Sequence, residues 1–157
     1  MTGTALDAST LAPLLDFARD LDLSDPAAAE AALEEAFPWQ GDFVRGLHER
    51  LRAGVAEGTV CHKGEPPMRW SRLMRPDEES RDFSVDAVLM SGPGPRHAHP
   101  RGEIDLCLPV SGEPRFDGRE PGWVVYGPGS RHVPTVTGGE MLIVYLLPGG
   151  AFERLEG

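Results

Sequence analysis

Apolar residues recur at three- and four-residue intervals along the first third of the chain. Leu11, Leu14, Leu15, Ala18 and Leu21 form one such stripe and predict an amphipathic helix. Ser24-Asp25-Pro26 then offers a capping residue followed by a proline suited to a first helical turn. The run AAAEAALEEAF after it is built from strong helix formers, and Pro38 closes it. Phe43, Leu47, Leu51 and Val55 make a third stripe that ends near Gly58. Beyond Gly58 the period changes. In DFSVDAVLM, Phe83, Val85, Ala87 and Leu89 fall on one face of a strand. IDLCLPV, GWVVYG and EMLIVYLLP are further strand candidates, rich in β-branched and aromatic residues. SGPGP, GPGS and PGG punctuate them. Short strands at near-regular spacing without intervening helices predict a mainly β fold, a sandwich or barrel. The expected organisation is a helical extension over residues 1–58 and a β-barrel over 59–157, forming one structural unit. About three helices precede the barrel, to cover one of its mouths or to build a dimer face.

Composition narrows the partners. The chain has 157 residues, 40% of them apolar, enough for a core in one domain. A formal net charge of −10 argues against nucleic acid and anionic membrane surfaces. An acidic protein can still capture an anionic substrate through a few local arginines. Cys61 and Cys107 stand far apart with no CxxC pairing, as expected of reduced thiols in the cytoplasm. The first 21 residues lack a basic stretch followed by a long apolar run, so no signal peptide is expected there. No apolar stretch approaches the roughly 18 residues of a membrane span.

Candidate chemistry concentrates in HAHPRGE, residues 97–103. On a strand, alternate side chains share a face, so His97 and His99 point the same way. Pro100-Arg101-Gly102 supplies a turn, and Glu103 opens the next strand towards the same space. A fourth ligand is available in His132, after GWVVY and a proline-glycine turn. Imidazoles with one carboxylate suit Fe, Mn, Zn, Ni or Co as the divalent ion. Four protein ligands leave one or two positions open for water or substrate. His48, within a helix, and His62, just after it, are expected at the surface.

These motifs, HxHxxxE followed by G-x5-PG-x2-H, resemble the two signatures of the cupin superfamily. The resemblance implies a jelly-roll barrel holding one divalent metal through His97, His99, Glu103 and His132. The second motif departs from the family pattern. Pro128-Gly129 replaces a proline-x-glycine, and no asparagine follows His132. That leaves the local turn geometry open rather than the ligand set. HPRGEIDLCLPVSGEPRFDG, GWVVYGPGSRHVPTV and MLIVYLLPGGAFE, with CHKGEPPMRWSRLMRP upstream, carry a narrower similarity. They resemble the small cupin-type family that includes 4-hydroxylaminobenzoate lyase, over residues 10–153. That resemblance implies a small aromatic substrate, with 4-hydroxylaminobenzoate and water giving protocatechuate and ammonia. The change is redox-neutral and needs no flavin or nicotinamide, and no GxGxxG follows a strand.

Such a reaction needs proton transfer and a carboxylate anchor. Asp105 shares the face of Glu103 and is a candidate base or orienter of a ligand. Cys107 continues that face as a small buried hydrophobe. Tyr126 and Tyr145 are candidates for donating a proton or stacking on an aryl ring, as are Trp70 and Trp123 for ring contact. Arg69, Arg72, Arg101 and Arg131 are the arginines nearest in sequence to the site. Arg69 and Arg72 would point to opposite faces of a strand. Two other classes fit the ligand set: a different cupin metalloenzyme, such as an Fe(II) dioxygenase or an isomerase, and a non-enzymatic small-molecule-binding barrel. A homodimer is compatible with a barrel of this size.

Overall fold

Among the described residues three helices open the fold: α1 (Ala8–Ala18), α2 (Pro26–Ala36) and α3 (Asp42–Glu57). The computed structural model describes residues 8–155. Residues 1–7 of the expected helical extension, and 156–157 at the other end, lie outside the described residues. Asp25 caps α2 by accepting the Ala28 N–H, and Pro26 occupies its first turn, where a missing N–H costs nothing. Gly58 ends α3 at φ 80°, a left-handed conformation that glycine adopts without a Cβ penalty. α1 stops at Ala18, so Leu21 packs on the core from the following turn.

Among the described residues nine strands follow: β1 (Lys63–Glu65), β2 (Met68–Met74), β3 (Phe83–Met90), β4 (His97–His99), β5 (Glu103–Phe116), β6 (Gly122–Tyr126), β7 (Ser130–His132), β8 (Val136–Pro148) and β9 (Glu153–Arg154). Six form a sheet in the order β1-β2-β3-β8-β5-β6, and three form a small sheet β7-β4-β9. Every pairing is antiparallel. The last long strand, β8, lies between β3 and β5, which gives a jelly-roll-like wrap. The two sheets do not close into one hydrogen-bonded barrel.

Both faces of the large sheet are covered. Phe83, Val85, Ala87 and Leu89 pack with Ile104, Leu106, Val144 and Leu146 against the helices, in one core with Leu14, Leu33, Leu47 and Leu51. The alternate positions, including Val88, Cys107, Val124, Ile143 and Tyr145, face the interior. The helices therefore cover the outer face of the large sheet, not a barrel mouth. They dock there because the outward residues of β3, β5 and β8 are as apolar as the inward ones. Polar contacts fix the docking. Glu30 accepts the Val125 N–H at 2.9 Å, satisfying a donor on the edge strand β6, and binds Arg119 at 2.7 Å. Arg81 pairs with Asp16 at 2.7 Å.

β5 and β8 run longer than their apolar segments predict. Gly112 pairs with Gly139, and a Cβ on Gly139 would lie 2.0 Å from the Ser111 carbonyl oxygen. These two glycines let two bent strands approach. Among the described residues no helix is long and apolar enough to cross a membrane.

Candidate metal centre

The antiparallel pairing of β4 with β7 sets His97 opposite His132 and His99 opposite Ser130. Glu103, at the start of β5, comes to the same point across the Pro100–Gly102 turn. One ligand atom from each of His97, His99, Glu103 and His132 lies within 4.8 Å of the others. His97, His99 and Glu103 are almost wholly buried, and His132 nearly so.

The partners of the imidazoles fix which nitrogen faces inward. The Pro95 carbonyl can only accept, so His97 Nδ1 donates to it at 3.1 Å. Ser130 spends its hydroxyl proton on the Gly127 carbonyl at 2.6 Å, so its oxygen accepts from His99 Nδ1 at 2.9 Å. The Asp117 carboxylate accepts from His132 Nδ1 at 2.6 Å. With all three protons on Nδ1, three Nε2 lone pairs converge. His97 Nε2 and His132 Nε2 lie 3.2 Å apart. The Glu103 carboxylate lies 3.5, 3.2 and 3.8 Å from Nε2 of His97, His99 and His132. His99 Nε2 and Glu103 Oε2 have no hydrogen-bond partner among the described residues. Buried acceptors aimed at one another with nothing to donate are the arrangement a cation satisfies. Neutral imidazoles and one carboxylate match a divalent transition metal.

The buried groups also act on one another. Burial opposes charge on Glu103, but the imidazoles of His97 and His99 beside it outweigh burial and hold the carboxyl down at about 2. Burial likewise opposes protonation of His97, yet Glu103 beside it raises that pKa above the ordinary value. Asp105 is fully buried on the same face. Burial, then the charge of Glu103, push its pKa well above the carboxylate range.

A cavity of about 480 Å³ opens beside the cluster, with His97 and Glu103 in its wall. Trp70, Arg72, Asp86, Tyr145, Phe152 and Arg154 also line it. Trp70 and Arg72 reach it because alternate residues of β2 face inward. Tyr145 lines it with only the Met90 sulfur, a weak acceptor, 3.7 Å from its hydroxyl. Burial holds the Tyr145 pKa well above the ordinary phenol. Cys107 is buried one step further along the Glu103–Asp105 face, and burial raises its thiol pKa.

Other candidates lie elsewhere. Arg69 faces the helix side of β2, paired in register with Leu89. Arg101 turns outward to Asp82 at 3.6 Å. Arg131 alternates with Ser130 and His132 on β7 and is exposed. Trp123 is buried towards the helices and donates to the Phe37 carbonyl at 2.8 Å. Tyr126 lies behind the histidines, its ring centroid 4.3 Å from that of His132, and its hydroxyl donates to Asp117. His62 is exposed, whereas His48 is half-buried, its Nε2 without a hydrogen-bond partner among the described residues. Sequence reasoning missed Asp117, Ser130, Asp86, Phe152 and Arg154. For Asp117 the available signal was the Asp117-Gly118 pair, which reads as a turn.

A jelly-roll-like pair of antiparallel sheets that gathers His-x-His, a glutamate and a later histidine at one buried point defines a cupin-type protein with a candidate metal centre. The family model PnbB, 4-hydroxylaminobenzoate lyase, matches residues 11–153, and the chain belongs to that family of lyases. A 4-hydroxylaminobenzoate lyase from Nocardioides sp. (strain LMS-CY) is 30% identical over 131 residues, 77% of this chain and 78% of the relative. The enzyme of the same name from Pseudomonas putida is 29% identical over 155 residues, 87% of this chain and 88% of the relative. Among solved structures, an RmlC-like cupin protein from Ralstonia eutropha aligns at 17% identity over 59% of this chain and 62% of that chain, with a TM-score of 0.43.

Proposed function

We propose that the protein is a metal-dependent lyase converting 4-hydroxylaminobenzoate, or a close aryl hydroxylamine, and water into a protocatechuate-type catechol and ammonia. The observation that carries this is the convergence of three Nε2 lone pairs and Glu103 beside an aromatic-walled cavity, in a chain of this family. His97, His99, Glu103 and His132 would hold one divalent ion. When bound there, it supplies Lewis-acid polarisation of an N–O oxygen.

The chain's own residues do the rest. The outer partners Pro95, Ser130 and Asp117 keep the imidazoles in one tautomer and orientation. Asp105, buried on the same face of β5, stands beside Glu103 as a fixed neighbour suited to orienting that carboxylate. Tyr145 holds its proton in the cavity wall and donates it to the departing hydroxylamine oxygen. Trp70 and Phe152 receive the aryl ring. In sum the N–O bond breaks, the ring gains oxygen and nitrogen leaves as ammonia, with no net electron transfer. The enzyme is proposed to work in the cytoplasm, in keeping with the free buried thiols of Cys61 and Cys107.

Anaerobic incubation of the metal-loaded protein with 4-hydroxylaminobenzoate tests this. Catechol and ammonium should form in equal amounts without oxygen. Product formation that requires O₂ uptake would place the chemistry among the dioxygenases instead.

A further inference from the structure

We infer that Arg154, on the terminal strand β9, is the anchor for an anionic carboxylate on the substrate's ring. This rests on the aryl hydroxylamine function proposed above and specifies which member of that class the cavity selects. An acidic chain of net charge −10 needs a local cation to hold a benzoate. Two arginines line the cavity, Arg72 and Arg154. Arg72 is already engaged: its Nε lies 2.9 Å and its Nη2 3.5 Å from the two oxygens of Asp86. Asp86 lines the same cavity, so a carboxylate approaching Arg72 meets a like charge.

Arg154 is not engaged in this way. No carboxylate among the described residues forms an ion pair with it. It stands opposite His97 in the β4–β9 register, so its side chain shares the cavity face of that candidate ligand. Two residues earlier, Phe152 stacks on the His97 ring with centroids 4.7 Å apart and planes at 28°. Phe152 and Trp70 are 46% and 41% exposed, large aromatics left open at the cavity. Residues 152–154 thus bring together an aromatic surface, a guanidinium unpaired among the described residues and the edge of the metal cluster. An arginine on an open surface would gain little from a carboxylate. At the wall of an aromatic cavity it can form the planar, two-pronged contact that a benzoate offers.

Calorimetric titration of metal-loaded protein with 4-aminobenzoate and neutral 4-aminobenzamide separates charge recognition from ring binding and from turnover. Wild-type protein should prefer the benzoate. Arg154→Met should lose about 10- to 100-fold of benzoate affinity and leave the benzamide unchanged. Arg154→Lys should recover part of the loss, and the double variant Arg72→Met/Asp86→Asn, which removes the ion pair whole, should keep the preference. The anchor is overturned if wild-type protein prefers neither probe, if Arg154→Met weakens both equally, or if the double variant at 72 and 86 abolishes the preference. A benzoate preference that depends on Arg154 in a protein that releases no ammonium from 4-hydroxylaminobenzoate would uphold the anchor and refute the lyase reaction.

Discussion

Replacing Asp117 with asparagine keeps the shape of the side chain and reverses one hydrogen bond. In the native protein Oδ1 accepts the Thr135 N–H at 2.9 Å, while Oδ2 accepts from His132 Nδ1 at 2.6 Å and from the Tyr126 hydroxyl. Burial disfavours charge on Asp117, yet His132 and Tyr126 hold its pKa below the ordinary carboxylate value. In Asp117→Asn the amide oxygen can keep Thr135, which turns the NH₂ group towards His132. An NH₂ donor there demands an unprotonated Nδ1. The ring proton then moves to Nε2, where the ligand lone pair was. Losing an outer partner of a metal-bound histidine costs about 10- to 100-fold in metal affinity. At about 1.4 kcal/mol per tenfold that is about 1.4 to 2.8 kcal/mol. The upper end is expected, because the variant supplies a competing donor to His132 as well as removing the acceptor. Competition against a chromophoric chelator measures the affinity, and a thermal melt in chelator checks that the apo fold survives. Asp117→Asn with an affinity within about threefold of wild type would refute the tautomer reasoning.

Alanine at His97, His99 or His132 should lower metal occupancy and activity together, and full activity in any one variant would break the four-ligand site. Tyr145→Phe should reduce kcat by about 10²- to 10⁴-fold with metal occupancy retained; an unchanged kcat would remove Tyr145 as the proton donor. His48 should weaken the fold in acid. Burial, helped by Arg52, depresses its pKa below the ordinary 6.5, so the unfolded chain takes up the proton first. Its contribution is complete above 6.5 and is lost as pH falls from there through the folded-state value. His48→Gln should therefore flatten the fall of Tm with acid, and parallel Tm curves for the two proteins would contradict this.

What the sequence made legible was local. Helical stripes at Leu11–Ala18 and Phe43–Val55 need only their own periodicity, and His97-x-His99 needs only the alternation of a strand. The place of the helices was hidden because β3 and β8 are buried on both faces, so alternation does not single out an inner side. Arg101 and Arg131 neighbour ligands in sequence, yet a turn and strand alternation send them outward. Arg154 lies 55 residues beyond His99 on a two-residue strand too short to show a period. Asp117 is joined to His132 only when the turn after β5 folds back beside β7, a contact no local pattern encodes.

The proposed lyase reaction depends on metal held by His97, His99, Glu103 and His132. Ammonium release from 4-hydroxylaminobenzoate tests it most directly, measured with metal-replete protein, after chelation, and after metal is restored. Release that disappears with the chelator and returns with the ion is predicted. No release from protein verified to hold its metal, or release indifferent to chelation, would contradict it.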